Sequence, residues 1–128
     1  NIEFISEIVP YEKLRMYMNE SDICLGIFST NPKASIVIPN KAYEAIALKK
    51  PLITRDSTAA REIFSDGDNC IFCRPGDAED LALKIMLLYR DKKLRDNIAL
   101  NGYSLFLSKF TPIILGKELS QHIKTECV

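Results

Sequence analysis

The sequence predicts an α/β fold, a Rossmann-like parallel sheet with helices on its faces, and three observations predict it. Short apolar runs of strand length, among them "DICLGIF", "PLIT" and "CIFC", alternate with stretches whose apolar residues recur at helical spacing. The intervening helical stretches are about 8 to 13 residues long, the length of a crossover between parallel strands. Beyond residue 77 the strand signals stop and only helical periodicity remains. The order therefore matches the closing half of a doubly wound domain followed by C-terminal helices, and the 128 residues read as one partial domain, 1–128.

Each element has its own signal. "IEFISEI" reads as a first strand, which needs neighbours that this chain does not obviously supply. "YEKLRMYMNES" places Tyr11, Leu14 and Met18 on one helical stripe, and "DICLGIF" reads as the next strand. "STNPKASIVIPN" is a loop with proline near both ends. A helix over 41–49 follows, with Asn40 as its cap and Pro51 as its stop. "PLIT" is a short buried strand, "STAAREIF" a short helix capped by Ser57, "SDGDN" a turn and "CIFC" a strand. Asp77 caps a helix in which Leu81, Ile85 and Leu88 form one stripe. Another helix spans 92–101 with Gly102 as its stop, "YSLFLSKF" presents an apolar face, and Thr111–Pro112 opens a last helix.

Composition narrows the function classes. The chain is 47% apolar and 27% charged, as a soluble globular protein is. Basic and acidic residues balance at 17 each, so no net field draws in nucleic acid or an anionic membrane. Lys49, Lys50, Arg55 and Arg61 nevertheless crowd one short region as a candidate basic patch. No apolar run approaches the ~20 residues of a membrane span and no secretory signal is read at the start, so the expectation is no membrane span, with peripheral membrane contact open. The four cysteines are Cys24, Cys70, Cys73 and Cys127. Cys70 and Cys73 form one C-x2-C pair without a second pair, and on a strand they face opposite ways, so no metal site is expected. Reduced cysteines and a cytoplasmic location are the corresponding expectation.

In an open parallel sheet, ligands bind beyond the carboxyl ends of the strands. Residues 28–41, "TRDST" and "CRPGD" should reach that rim. The first segment is richest in chemistry: Asn40 and the free amides of a helix start can hold an anion, Lys41 adds a positive charge, and Glu44 lies three residues on. On a helical wheel Glu44 falls between Ala47 and Leu48. A carboxylate among apolar neighbours must be paired, protonated or directed at a ligand, because burying it alone costs several kcal/mol. Two readings stand side by side: a first-turn acid favoured by the helix dipole and paired with Lys41, or a ligand-binding carboxylate. Arg55 and Asp56 at the rim read as an exposed ion pair or as a donor contact.

"YEAIALKKPLIT" resembles the Glu-Ala-x-Ala-x-Gly-x-Pro signature of the C-terminal domain of retaining GT-B glycosyltransferases, and "DGDNCIFCRPGDAEDLA" is similar to its Asp-Gly-x-Asn-Gly continuation. The likeness spans essentially the whole chain and points to the group 1, family 4-like enzymes, which include sucrose synthase and lipopolysaccharide sugar transferases. It implies a nucleotide-sugar donor, an acceptor of unknown identity, no metal or other cofactor, and transfer with retention of configuration. It also implies that the N-terminal part of the same enzyme lies outside the chain, so that this piece is inactive alone. By the same likeness Glu44 matches the glutamate that bonds the donor ribose, and the phosphate-binding Arg and Lys would precede Asn1. Three positions depart from the pattern. The family's first glutamate falls at Ile36, for which Lys41 is the candidate replacement, and its two glycines fall at Lys49 and Cys70.

The competing expectation is a non-catalytic α/β module that binds a nucleotide or a partner, which the missing acid at Ile36 favours. A GT-B relative with epimerase chemistry would need catalytic carboxylates that the sequence does not display. Glu62 reads as a loop or cap anchor, His122 as a surface or packing residue, and Met16, Tyr17 and Met18 as packing.

Overall fold

A computed structural model describes residues 2–126, and its element order follows the alternation in the sequence. The first helix, α1, spans Tyr11–Glu20, and the first strand, β1, spans Cys24–Leu25. A single 3-10 turn, Pro32–Ser35, interrupts the next loop before α2 at Asn40–Ala47. Strand β2 (Leu52–Arg55), helix α3 (Thr58–Ile63) and strand β3 (Ile71–Cys73) follow. Three helices close the chain: α4 (Ala78–Arg90), α5 (Lys92–Lys109) and α6 (Pro112–Glu126).

The strands form one parallel sheet in the order β1-β2-β3, with Cys24 opposite Leu52, and Ile53 opposite Ile71. Pairing continues past the short β1, because Gly26 N–H donates to the Ile53 carbonyl (2.8 Å) and Arg55 N–H to that of Ile27 (2.9 Å). All of β2 and β3 is buried, as expected of central parallel strands covered on both faces. Alternation divides the core in two. Leu52, Cys70 and Phe72 pack on one face with Ala42, Ala45 and Ile46 of α2, while Ile53, Ile71 and Cys73 pack on the other with Leu88 of α4 and Ile98 of α5. Cys70 and Cys73 thus face opposite sides, as period two requires. Burial pushes both thiols, and that of Cys24, above the ordinary cysteine value, so they behave as small hydrophobes. Cys127 lies outside the described residues.

Three caps are where the residue types place them. Ser57 accepts from Ala60 N–H (3.2 Å), Asp77 from Asp80 N–H (2.9 Å) and Thr111 from Ile114 N–H (3.4 Å). Other expectations are corrected. Residues 2–8 form no strand: Ile2 and Phe4 are almost fully exposed, and no described strand pairs with them. Alternating apolar residues make a strand only where a neighbour offers backbone partners. Helix α5 does not stop at Gly102 but runs on through Lys109, absorbing "YSLFLSK". A Cβ at Gly102 would lie 3.0 Å from Ile46 Cγ2 and 3.2 Å from the Asn69 carbonyl, so this glycine is a packing residue that lets α5 approach α2. Tyr43 and Phe110 close the same contact edge to face, 5.1 Å between centroids.

Helix α2 ends two residues before 49, and its end explains a departure from the glycine pattern. Lys50 N–H bonds the Ala45 carbonyl and Lys49 N–H that of Ile46, with Lys49 at φ 55. This is a Schellman stop with a lysine in the left-handed position, where a side chain costs about 1–2 kcal/mol. Glycine would relieve that cost and return part of it as unfolded-chain entropy. Lys49→Gly is therefore expected to raise stability by about 0.5–1 kcal/mol, measured as a higher denaturant midpoint with an unchanged m-value. Cys70, the other departure, has no positive φ. The expected basic patch is dispersed: Lys49 and Lys50 precede β2, Arg55 ends it and is buried, and Arg61 is paired with Asp56.

One stretch runs against the expectation of no membrane-length segment. Within Lys92–Thr125 an 18-residue window reaches a mean hydropathy of 1.3, long and apolar enough by composition to cross a bilayer, and 17% of it is buried. The helix is interrupted there between α5 and α6, at residues 110–111.

Candidate donor-binding site

The parallel topology brings the carboxyl ends of β1, β2 and β3 to one rim, and three hydrogen bonds tie their loops together. Gly76 N–H donates to the Phe28 carbonyl (2.8 Å), Asp56 N–H donates to that of Cys73 (2.8 Å), and Arg55 Nη1 donates to that of Ser29. Asn31 accepts from Lys33 N–H (2.9 Å) and so starts the 3-10 turn, which packs against α3. The segments expected at the rim are thus joined into one platform from which α2 departs.

At its start α2 has Pro39 in the cap position, and Asn40 is its first helical residue. The capping role expected of Asn40 is not realised, because a proline at 39 has already fixed the extended backbone and Asn40 itself is helical. No side chain caps the helix, and the amides of Asn40 and Lys41 have no acceptor among the described residues. Both side chains are exposed. Glu44 is the fifth helical residue, so it lies beyond the first turn, where the dipole acts most strongly. The pairing with Lys41 does not form: among the described residues the Glu44 carboxylate has no hydrogen bond and no ion pair.

Glu44 instead opens on a groove between α1 and α2, beside the free edge of β1. One cavity there, of about 260 Å³, is lined by Tyr11, Leu14, Arg15 and Met18 of α1 and by Glu44, Ala47 and Leu48. A second, of about 290 Å³, runs along the edge of β1 and includes Cys24, Leu25, Lys41 and Glu44. Glu44 and Lys41 therefore share a groove without touching, and Ala47 and Leu48 flank the carboxylate as the helical wheel implies. A half-buried carboxylate with no partner among the described residues, in a groove that also holds Arg15 and Lys41, can accept hydrogen bonds from ligand hydroxyls, and such charge-assisted bonds are strong.

Arg55 lies apart from that groove and corrects the expectation of an exposed ion pair. It is the last residue of β2, it is only 7% exposed, and it makes no ion pair among the described residues. Asp56 bonds Arg61 bidentately instead (2.5 and 2.6 Å), and that bond holds the Asp56 carboxyl below its usual range. Sequence reasoning missed this burial, although the strand register that places Arg55 opposite Cys73 could have signalled it. Glu62 is exposed on α3 and anchors no described group, and His122 is exposed on α6. Ile36, at the position of the missing acid, is 73% exposed in the loop. Among the described residues no three His, Cys, Asp or Glu side chains cluster to hold a metal.

Comparison with known proteins bears on this geometry. The model of a family described as Glycosyl transferases group 1 matches residues 1–105. The chain is 34% identical over 86 residues to the capsular polysaccharide biosynthesis glycosyltransferase CapM of Staphylococcus aureus, covering 67% of the chain but only 23% of that relative. Among solved structures, HepE of Anabaena in complex with UDP superposes with a TM-score of 0.75 at 22% identity, over 85% of this chain and 29% of HepE. HepE has also been solved with UDP-glucose. The C-terminal domain of LpcC, a glycosyl transferase group 1 family protein of Francisella tularensis, matches with a TM-score of 0.66 at 28% identity, over 87% of this chain and 53% of that domain. These likenesses place the three-stranded sheet and its helices in the Rossmann-like C-terminal domain of the GT-B fold. The chain spans about a quarter of the curated relative it matches.

Proposed function

The chain belongs to the glycosyl transferases group 1 family, and from that premise we propose that it forms the nucleoside side of the donor site in an enzyme that transfers a sugar from a nucleotide-sugar to an acceptor. One observation supports this reading above the others: Glu44, in a groove at the sheet edge, is a carboxylate without a partner among the described residues. Its role is to accept hydrogen bonds from the ribose hydroxyls. The uncapped amides of Asn40 and Lys41, with the Lys41 side chain, face the donor diphosphate at the start of α2. HepE has been solved with UDP and with UDP-glucose, which favours a uridine donor as the first to try.

In the whole enzyme, binding energy from the nucleoside positions the anomeric carbon, and positive groups stabilise the departing diphosphate. Retention of configuration, donor binding without a metal, and the need for the rest of the enzyme before sugar is transferred complete the proposal. Its test is incubation of the full-length protein with uridine-, guanosine-, adenosine- and thymidine-diphosphate sugars in a chelating buffer. Release of nucleoside diphosphate, with the anomeric configuration of the product read by NMR, is the expected result. Failure to bind any of these donors would leave the non-catalytic partner-binding module as the better account.

A further inference from the structure

The Arg55 guanidinium is buried and forms no ion pair among the described residues. Its Nη1 donates to the Ser29 carbonyl, its Nε has no hydrogen-bond partner among the described residues, and the neighbouring Asp56 is bonded to Arg61. A charge withdrawn from water in this way is costly unless an anion balances it. The cost is placed at the rim, directly under the loop that runs from β1 into α2.

We propose that Arg55 is a positioning residue for the donor diphosphate. Its clasp on Ser29 orients the segment that leads to the start of α2, and its charge, together with that of Arg61, exceeds the single Asp56 carboxylate that both of them act on, which leaves that part of the rim positive. The inference rests on the donor-site reading above, and the chemistry it selects is a nucleoside diphosphate over the bare nucleoside. A buried charge kept for ligand binding has a recognisable signature: removing it does not harm the unliganded protein but does harm binding.

The experiment uses the full-length protein as wild type, Arg55→Met and Arg55→Lys. The probes are UDP, GDP, ADP and dTDP with their nucleosides, titrated calorimetrically, alongside thermal melting without ligand. Arg55→Met is expected to melt at or above the wild-type temperature, to bind the preferred diphosphate at least about tenfold more weakly, and to bind the nucleoside unchanged. Arg55→Lys, which keeps the charge without the planar fork, is expected to recover part of the diphosphate affinity. Unchanged diphosphate affinity in Arg55→Met overturns the inference. So does a lowered melting temperature with equal losses for nucleoside and diphosphate, which would make Arg55 a structural clasp. If the wild type binds none of the four diphosphates, the donor-site reading falls and this inference with it, a result visible before any substitution is made.

Discussion

Gly102→Val lowers the stability of the protein by about 3 kcal/mol, read as a reduced denaturant midpoint in the full-length chain. The space for a side chain is absent, since a Cβ there would lie 3.0 Å from Ile46 Cγ2 and 3.2 Å from the Asn69 carbonyl. Ile46 is fully buried against the sheet and the Asn69 carbonyl is backbone, so neither can yield cheaply. Valine adds two further methyl groups to that contact. Gly102→Ala separates the two forces at work: alanine gains about 1 kcal/mol of helix propensity while meeting the same close contacts, so a result near neutrality is expected. A valine variant as stable as the wild type would mean that α5 does not press against α2 at this point.

Glu44→Ala weakens binding of the donor nucleotide by about ten- to hundredfold, because hydrogen bonds to a charged group contribute about 1.5–3 kcal/mol. The protein itself should lose little, since this carboxylate has no partner among the described residues that its removal would strand. Loss of affinity without loss of stability separates a ligand-directed acid from a structural one. Isothermal titration and a melting curve on the same variant read both quantities. Unchanged affinity would remove Glu44 from the site and leave the groove between α1 and α2 as a packing feature.

The fold was legible wherever a single local force decides the outcome. Ser57, Asp77 and Thr111 cap their helices because each side-chain oxygen satisfies an amide three residues on, a relation contained in the residue spacing. The facing of Cys70 and Cys73 followed from period two alone. What failed depended on distant partners. Residues 2–8 have a strand's alternation, but no described strand lies beside them. Gly102 looked like a helix stop because the nearness of Ile46 and Asn69 is a tertiary fact. Asn40 lost its capping role to Pro39, and Lys49 adopts the left-handed turn that glycine prefers because Pro51 and β2 require the helix to end there.

The site divides in the same way. The odd placement of Glu44 was visible as a carboxylate in an apolar helix, and the structure strengthened it by denying it Lys41 as a partner and moving it out of the first turn. Arg55 was visible only as a rim residue. Its burial, its hold on Ser29 and its lack of an ion pair among the described residues arise from strand register and from the capture of Asp56 by Arg61. Local sequence reported which groups are chemically unusual, and packing decided which of them have unspent bonding capacity.

The proposed contact between the Glu44 carboxylate and the ribose hydroxyls of the donor can be measured. It is tested most directly by a cycle that pairs wild type and Glu44→Ala with a nucleoside diphosphate and its 2′,3′-dideoxy counterpart. Removing the hydroxyls is expected to weaken binding to the wild type by about tenfold or more and to have no further effect on Glu44→Ala. An equal loss in both proteins would show that the carboxylate and the hydroxyls do not meet, and would contradict it.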